Sequence, residues 1–162
     1  VYISMVNKAE KYCWFMTPYL IITDEMTHAM TLAAKRGVDV RIITPGIPDK
    51  KQIYNITRSF YHGLVKDGVR IYEWTPGFCH AKMSVADDCM ATCGTINLDY
   101  RSLYHHFENG CFMTDCDAVL DIRNDLEATM KECREVTEKY RVGRSAYLRL
   151  GQLFMRLFAG LL

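Results

Sequence analysis

Two basic side chains, His80 and Lys82, stand two positions apart in a segment bounded by Pro76-Gly77 and Asp87-Asp88. On a β-strand this spacing places both side chains on the same face. An imidazole can attack phosphorus or transfer a proton, and an ammonium neutralises phosphate oxygens. The pair therefore predicts an anion site that could process a phosphate ester.

Three further residues downstream could complete such a site. Asn97 can donate amide hydrogens to the same phosphate oxygens, and Glu108 can hold the second ring nitrogen of His80 and so fix its tautomer. Asp87 lies at a turn, where accepting backbone N–H bonds is the more natural role. Taken singly, such residues are more often structural, at surface, cap or turn positions, so spacing alone leaves a purely structural interpretation open.

The order of these residues resembles the motif of the phospholipase D superfamily, HxKxxxxD followed by GSxN and a downstream acid. The motif positions are matched, in order, by His80, Lys82, Asp87, Gly94, Thr95, Asn97 and Glu108. Thr95 stands where Ser is usual and keeps the hydroxyl. Residues 17–19, 36–41, 45–49, 71–73, 76–82 and 97–103 extend the resemblance to the C-terminal catalytic half of bacterial cardiolipin synthases.

The resemblance implies a phosphatidyltransferase that joins two phosphatidylglycerol molecules into cardiolipin, with release of glycerol and through a phosphohistidine intermediate. It implies neither a metal ion nor another cofactor, because cationic side chains stabilise the developing charge. By this resemblance the catalytic residues are His80, Lys82, Asn97, Glu108 and Asp87, and the substrate-binding residues are Gly94 and Thr95. The resemblance favours His80 as the general acid, although the sequence itself does not separate acid from nucleophile.

Members of the superfamily bring two such motifs together, whereas this sequence holds one. The second half-site is expected from a longer parent chain or from a second copy of this chain, and Val1 in place of an initiating Met favours the parent chain. The other implied partners are an anionic phospholipid, phosphatidylglycerol, and a membrane surface. The implied location is the cytoplasmic face of the bacterial plasma membrane.

Three other functions stay open: a phospholipase D-type phosphodiesterase, a homodimeric nuclease of the same superfamily, and a lipid-binding module without catalysis. The chain has 20 Lys and Arg residues and 19 Asp and Glu residues, so its net charge is close to zero. A nuclease would need a positively charged surface to bind nucleic acid, and this balance argues against one. The seven cysteines, with no CxxC pair, exclude a disulfide scaffold and a zinc ribbon. Cys79, beside His80, is interpreted as a packing residue, although its oxidation could inhibit the site.

The elements that must position these residues follow from the hydrophobic pattern. Strands predicted at 12–17, 38–44 and 69–74 alternate with helices that start at Asp24 and Asp49 and end at Gly37 and Gly68. Short strands near 81–86, 89–93 and 107–113 and a long helix over 115–140 follow. The order predicts an α/β, phospholipase D-like layered fold, with a mostly parallel central sheet flanked by helices, as one of the two lobes of the superfamily.

The domain division expected is a catalytic domain over residues 1–140 and a basic amphipathic helix over 141–162. One predicted face of that helix is apolar and carries Leu150, Leu153, Phe154, Leu157, Phe158 and Leu161. Arg149 and Arg156 occupy the other face. The pattern is typical of a helix lying in an anionic lipid interface, and a helix that packs on the domain would show it as well.

Overall fold

The computed structural model describes residues 1–142 of the chain. The expected amphipathic helix over 141–162 therefore lies, beyond Val142, outside the described residues. Within residues 1–142, no helix combines the length and the apolar character needed to cross a bilayer.

The elements of the first half alternate in type, as the sequence predicts. In chain order they are α1 (Tyr2–Lys8), β1 (Tyr12–Met16), β2 (Leu20–Ile21), α2 (Asp24–Lys35), β3 (Asp39–Pro45), α3 (Lys51–Val65) and β4 (Arg70–Trp74). The second half begins with short strands. Its elements are β5 (Met83–Ala86), β6 (Met90–Gly94), β7 (Leu98–Asp99), a π-helical turn (Arg101–His105), β8 (Gly110–Thr114), α4 (Asp117–Glu132), β9 (Cys133–Glu135) and α5 (Thr137–Arg141).

A seven-stranded sheet in the order β8-β6-β5-β1-β3-β4-β9 forms the middle layer. The expected α/β fold, a central sheet flanked by helices, is confirmed. The pairing is mixed rather than mostly parallel, because β3 pairs in parallel with β1 and β4 whereas the other neighbouring strands pair antiparallel. Part of the reason is local: a three-residue turn over 87–89 joins β5 to β6, and so short a connection permits only antiparallel neighbours.

Two apolar clusters cover the two faces of the sheet. Alternate residues of the central strand β1 point to opposite sides, so Phe15 packs in one cluster and Trp14 in the other. The first cluster includes residues of α1, α2 and α3, and the second includes Val119 and Leu126 of α4. Burial on both faces fixes the register of β1, because a one-residue slip would exchange the two sets of side chains.

The predicted helices end where their sequences indicate, whereas α3 begins at Lys51, two residues after the predicted start at Asp49, and has no side-chain cap at its N-terminus. The Thr23 hydroxyl accepts a hydrogen bond from the Met26 N–H and caps α2 at its N-terminus. Gly37 and Gly68 follow α2 and α3 with φ of +96° and +103°, a left-handed conformation that glycine adopts without steric cost. The predicted ends of both helices are therefore confirmed.

The single long helix predicted over 115–140 is wrong, because a short strand divides it into α4 and α5. Helix α4 ends at Glu132, and Cys133–Glu135 form β9, which pairs antiparallel with β4. This pairing brings Arg134 opposite Glu73, a fully buried carboxylate that forms ion pairs with Arg134 at 3.1 Å and with Arg58 of α3 at 2.6 Å. A buried charge requires such partners, and this tertiary requirement overrides the helical periodicity of the segment.

Candidate active site

His80 and Lys82 lie where the chain enters β5. The Lys82 carbonyl accepts a hydrogen bond from Gly94 N at 3.3 Å, which continues the β5–β6 pairing toward His80. The two side chains meet as their spacing predicts. The Lys82 Nζ lies 3.0 Å from His80 Nδ1 and 3.2 Å from Nε2, and it donates to the His80 carbonyl at 2.6 Å.

The Lys82 ammonium lies beside the His80 ring and within 3.2 Å of both ring nitrogens. Burial lowers the pKa of Lys82, and the nearby negative charge of Glu108 opposes that shift. His80 is exposed, and the Phe78 ring lies 5.9 Å from its ring, centroid to centroid. The pair thus presents a solvent-accessible imidazole beside a cation.

Glu108 is held by Thr95. The Thr95 hydroxyl donates a hydrogen bond to the Glu108 carboxylate and accepts one from Asn109 N at 3.0 Å. The bond from Thr95 lowers the pKa of Glu108 and so favours its ionised form. Among the described residues no hydrogen bond joins Glu108 to His80, so the tautomer-fixing role of Glu108 stays a prediction.

Asn97 lies just before β7, which pairs in parallel with β2. The loop is fixed by Thr17, whose hydroxyl accepts from Leu98 N at 3.1 Å and donates to the Tyr19 carbonyl at 2.8 Å. The Oδ1 atom of Asn97 is buried and has no hydrogen-bond partner within residues 1–142. Since an unpaired buried oxygen is costly, this atom is a position at which a ligand hydroxyl could donate.

Gly94 is required by a close approach of two backbones. A Cβ at this position would lie 2.4 Å from the Asn109 carbonyl oxygen and 2.5 Å from Gly110 Cα. The absence of a side chain therefore lets β6 and β8 come together and brings Thr95 to Glu108. The implied contact of Gly94 and Thr95 with substrate stays a prediction.

Asp87 lies at the opposite end of β5 from His80. Its carboxylate accepts backbone hydrogen bonds from Glu10 N, Lys11 N and Tyr12 N at 2.6, 2.9 and 2.8 Å. Asp87 and Asp88 have φ of +52° and +59°, the backbone of a tight hairpin turn. The structure therefore gives Asp87 the bracing position indicated by its turn chemistry and does not bring it to His80.

One neighbour of the site, Phe78, is not predicted as a site residue from the sequence, although its ring lies 5.9 Å from the His80 ring. Phe78 precedes His80 by two positions, a spacing that could have indicated a shared face. Cys79 is half-buried, and burial raises the pKa of its thiol, which suits a packing residue. No group of three His, Cys, Asp or Glu side chains in the described part of the chain is arranged to hold a metal ion.

Comparison with known proteins finds a matching family model and similar sequences. A family model described as "Cardiolipin synthase, PLD-like domain" matches residues 2–130. An uncharacterized protein of Streptococcus mutans is 49% identical over the whole chain, which spans 35% of that protein. Cardiolipin synthase 2 of Bacillus cereus is 34% identical over the whole chain, which spans 32% of that enzyme. The chain thus spans about a third of the length of these relatives.

Two solved structures share the fold at low sequence identity. A phosphatidylserine synthase of Haemophilus influenzae has a TM-score of 0.74 at 16% identity, over 98% of this chain and 41% of that chain. Nuc of Salmonella typhimurium, a phospholipase D family member, has a TM-score of 0.71 at 16% identity, over 82% of this chain and 86% of that one. The predicted fold class is confirmed by these similarities.

Proposed function

Because the chain belongs to the cardiolipin synthase family of phospholipase D-like domains, we propose that it supplies one half-site of a cardiolipin-forming phosphatidyltransferase. The donor is phosphatidylglycerol, the acceptor is the hydroxyl of a second phosphatidylglycerol, and the products are cardiolipin and glycerol. The observation that carries the proposal is the exposed His80 ring with the Lys82 ammonium 3.0 Å from Nδ1.

The reaction in this proposal uses two histidines that face each other, His80 and a histidine of the second half-site. A histidine of the second half-site attacks the phosphorus of phosphatidylglycerol, and the P–O bond to glycerol breaks as protonated His80 gives its proton to the leaving oxygen. Lys82 and Asn97 hold the non-bridging oxygens as negative charge develops. His80 then takes the proton of the incoming hydroxyl, whose oxygen displaces the histidine from phosphorus. At the end of the cycle both histidines are back in their starting protonation states, and a P–O bond to the acceptor has replaced the P–O bond to glycerol.

The second half-site comes, in this proposal, from elsewhere in a longer parent chain or from a second copy. The substrate is an anionic phospholipid, so the reaction takes place at a membrane surface, which we propose to be the cytoplasmic face of the bacterial plasma membrane. Exclusion of water from the joined site favours the lipid acceptor over hydrolysis.

The test uses the full-length gene product with phosphatidylglycerol vesicles and EDTA, with cardiolipin and glycerol followed by mass spectrometry. We expect His80→Asn to lower cardiolipin formation by about 10²–10⁴-fold, the usual contribution of a general acid. His28→Asn, at an exposed position on α2, is the matched control and should retain wild-type activity.

Other products would contradict the proposed phosphatidyltransferase reaction and indicate a different one. Phosphatidic acid as the sole lipid product of the wild type would identify a phospholipase D-type hydrolase. No lipid product from a folded wild-type protein would remove the transferase, and metal-independent cleavage of single-stranded DNA would then support the nuclease.

A further inference from the structure

Two free cysteines face each other on neighbouring strands at one side of the sheet. Cys93 of β6 lies directly opposite Cys111 of β8 in the antiparallel register. Directly opposed side chains project from the same face of a sheet, and both cysteines are exposed. We call this pair the edge dithiol, because β8 is the outermost strand of the seven-stranded sheet. The register thus holds two thiols close to each other and open to solvent.

The backbone hydrogen bonds on either side of the edge dithiol define its geometry. Thr95 N donates to the Asn109 carbonyl at 2.8 Å, and Asp115 N donates to the Cys89 carbonyl at 3.0 Å. Both bonds extend the β6–β8 register, in which hydrogen-bonded and non-hydrogen-bonded pairs alternate. The edge dithiol therefore occupies a hydrogen-bonded position. The Cα atoms of such a pair are about 5.5 Å apart, within the range of about 4.4–6.8 Å found across disulfides.

A pair of glycines brings the two strands close together beside the edge dithiol. Gly94 lies opposite Gly110, one position from the dithiol on each strand. A Cβ on Gly94 would lie 2.5 Å from Gly110 Cα, which is closer than a Cβ atom packs. The Cβ atoms of a disulfide are about 3.5–4.5 Å apart, whereas those of opposed residues in a sheet are about 4.5–5.5 Å apart. The close approach at the glycines therefore reduces the movement that a disulfide would require.

We propose that the edge dithiol is a redox modification site, at which Cys93 and Cys111 form a reversible disulfide by exchange with a small-molecule disulfide. One protein thiolate attacks the small disulfide, which gives a mixed disulfide and releases one small thiol. The other protein thiolate then attacks the protein sulfur of the mixed disulfide, which closes the bond between the two cysteines and releases the second small thiol.

The exchange balances in atoms and electrons. Two protein thiols are oxidised to one disulfide, one small disulfide is reduced to two thiols, and the two protons of the protein thiols end on the thiols that leave. An excess of small thiol runs the same steps in reverse. Exposed disulfides are the ones that such exchange reaches most readily, so the modification is reversible rather than a permanent scaffold.

The position of the edge dithiol connects it to the candidate active site. Cys93 precedes Thr95 by two residues, and Cys111 follows Glu108 by three. The Thr95 hydroxyl donates a hydrogen bond to the Glu108 carboxylate. A disulfide would therefore link the two segments that carry this contact, and it would fasten the outermost strand to the rest of the sheet. The inference does not depend on the proposed function.

The test exposes the reduced full-length protein to oxidised glutathione, blocks the remaining thiols by alkylation and maps the disulfides by mass spectrometry. Trypsin separates Cys93 from Cys111, because Arg101 lies between them. We expect the tryptic peptides 83–101 and 102–123 to be joined by a disulfide that fragment ions assign to these two cysteines. Excess reduced glutathione should remove the bond.

Variants identify the two thiols that take part. In Cys93→Ser the link should be lost and Cys111 should keep glutathione as a mixed disulfide, because no second thiol displaces it. Cys111→Ser should give the converse result, and it carries the test should Cys93→Ser fail to fold. Cys89→Ser and Cys116→Ser are the matched controls, since these cysteines lie on the same two peptides, and both should retain the link.

Three outcomes would overturn the proposal. The first is wild-type protein in which Cys93 and Cys111 are alkylated, or carry glutathione, without any bond between them. The second is a bond that fragment ions assign to Cys89 or Cys116. The third is a bond between two protein molecules in place of one within a single chain, which non-reducing electrophoresis would detect.

Discussion

At the scale of single residues, Lys82 links the two sides of the candidate site. Its ammonium lies 3.0 Å from the His80 ring, and its pKa is set by burial against the charge of Glu108. Glu108 in turn depends on the Thr95 hydroxyl, which lowers its pKa. The Thr95 hydroxyl therefore acts on Lys82 indirectly: it favours the ionised form of Glu108, and the negative charge of Glu108 raises the pKa of Lys82.

Replacing Thr95 by Val should raise the pKa of Glu108 toward its ordinary value of 4.5, because the hydrogen bond that favours the charged form is lost. A carboxyl-detected NMR titration measures the change. Thr95→Ser restores the hydroxyl and should restore the low pKa. An unchanged pKa in Thr95→Val would show that another group stabilises the Glu108 carboxylate.

At the scale of elements, the β4–β9 pair shows how one buried charge shapes local structure. Glu73 is fully buried, and both arginines that reach it come from other elements, α3 and β9. Arg58 also stacks over the Tyr54 ring, 3.9 Å from its centroid, which further fixes the guanidinium. The outermost strand of the sheet is therefore attached by side-chain electrostatics as well as by backbone pairing.

Glu73→Gln should lower the free energy of unfolding by about 3 kcal/mol, since it leaves two arginines facing a neutral buried group. Urea denaturation measures this value. Glu135→Gln on the neighbouring strand is the matched control: it removes an ion pair with Arg70 in which both side chains are more than a third exposed, so we expect less than about 1 kcal/mol. Equal losses in the two variants would contradict the role given to burial.

The same elements show how far the sequence predicts the structure. The ends of α2 and α3 were predictable because caps and glycine stops act within a few residues. The two-residue spacing of His80 and Lys82 predicted that their side chains would meet, although both residues lie just before β5 and not on it. The end of α4 was not, because β9 depends on Glu73, about 60 residues earlier in the chain. The bond between Glu108 and Thr95 was likewise hidden, since it depends on the β6–β8 register.

At the scale of the whole molecule, Asp87 joins two distant parts of the chain. Its carboxylate bonds the backbone of residues 10–12, just before the central strand β1, to the turn between β5 and β6. The parallel part of the sheet and its antiparallel extension are therefore fastened to each other at this end of β1. We expect this contact to contribute to global stability.

Asp87→Asn should lower the free energy of unfolding by about 1–3 kcal/mol, because three charge-assisted hydrogen bonds become neutral ones while Asn still tolerates the left-handed backbone. Thermal and urea unfolding measure the loss. Asp121→Asn, an exposed carboxylate without these bonds, should change stability by less than about 0.5 kcal/mol. A loss no larger than that of the control would show that water replaces the Asp87 contacts at no cost.

The separation between the partners of Asp87 has a consequence for the time course of folding. Glu10 and Asp87 are 77 positions apart, and β1 lacks its β5 neighbour until that later segment has been made. At about 5–20 residues per second, a ribosome needs several seconds to synthesise the intervening segment. Throughout that interval one edge of β1 has no neighbouring strand, so the nascent chain presents a row of unpaired backbone N–H and C=O groups there.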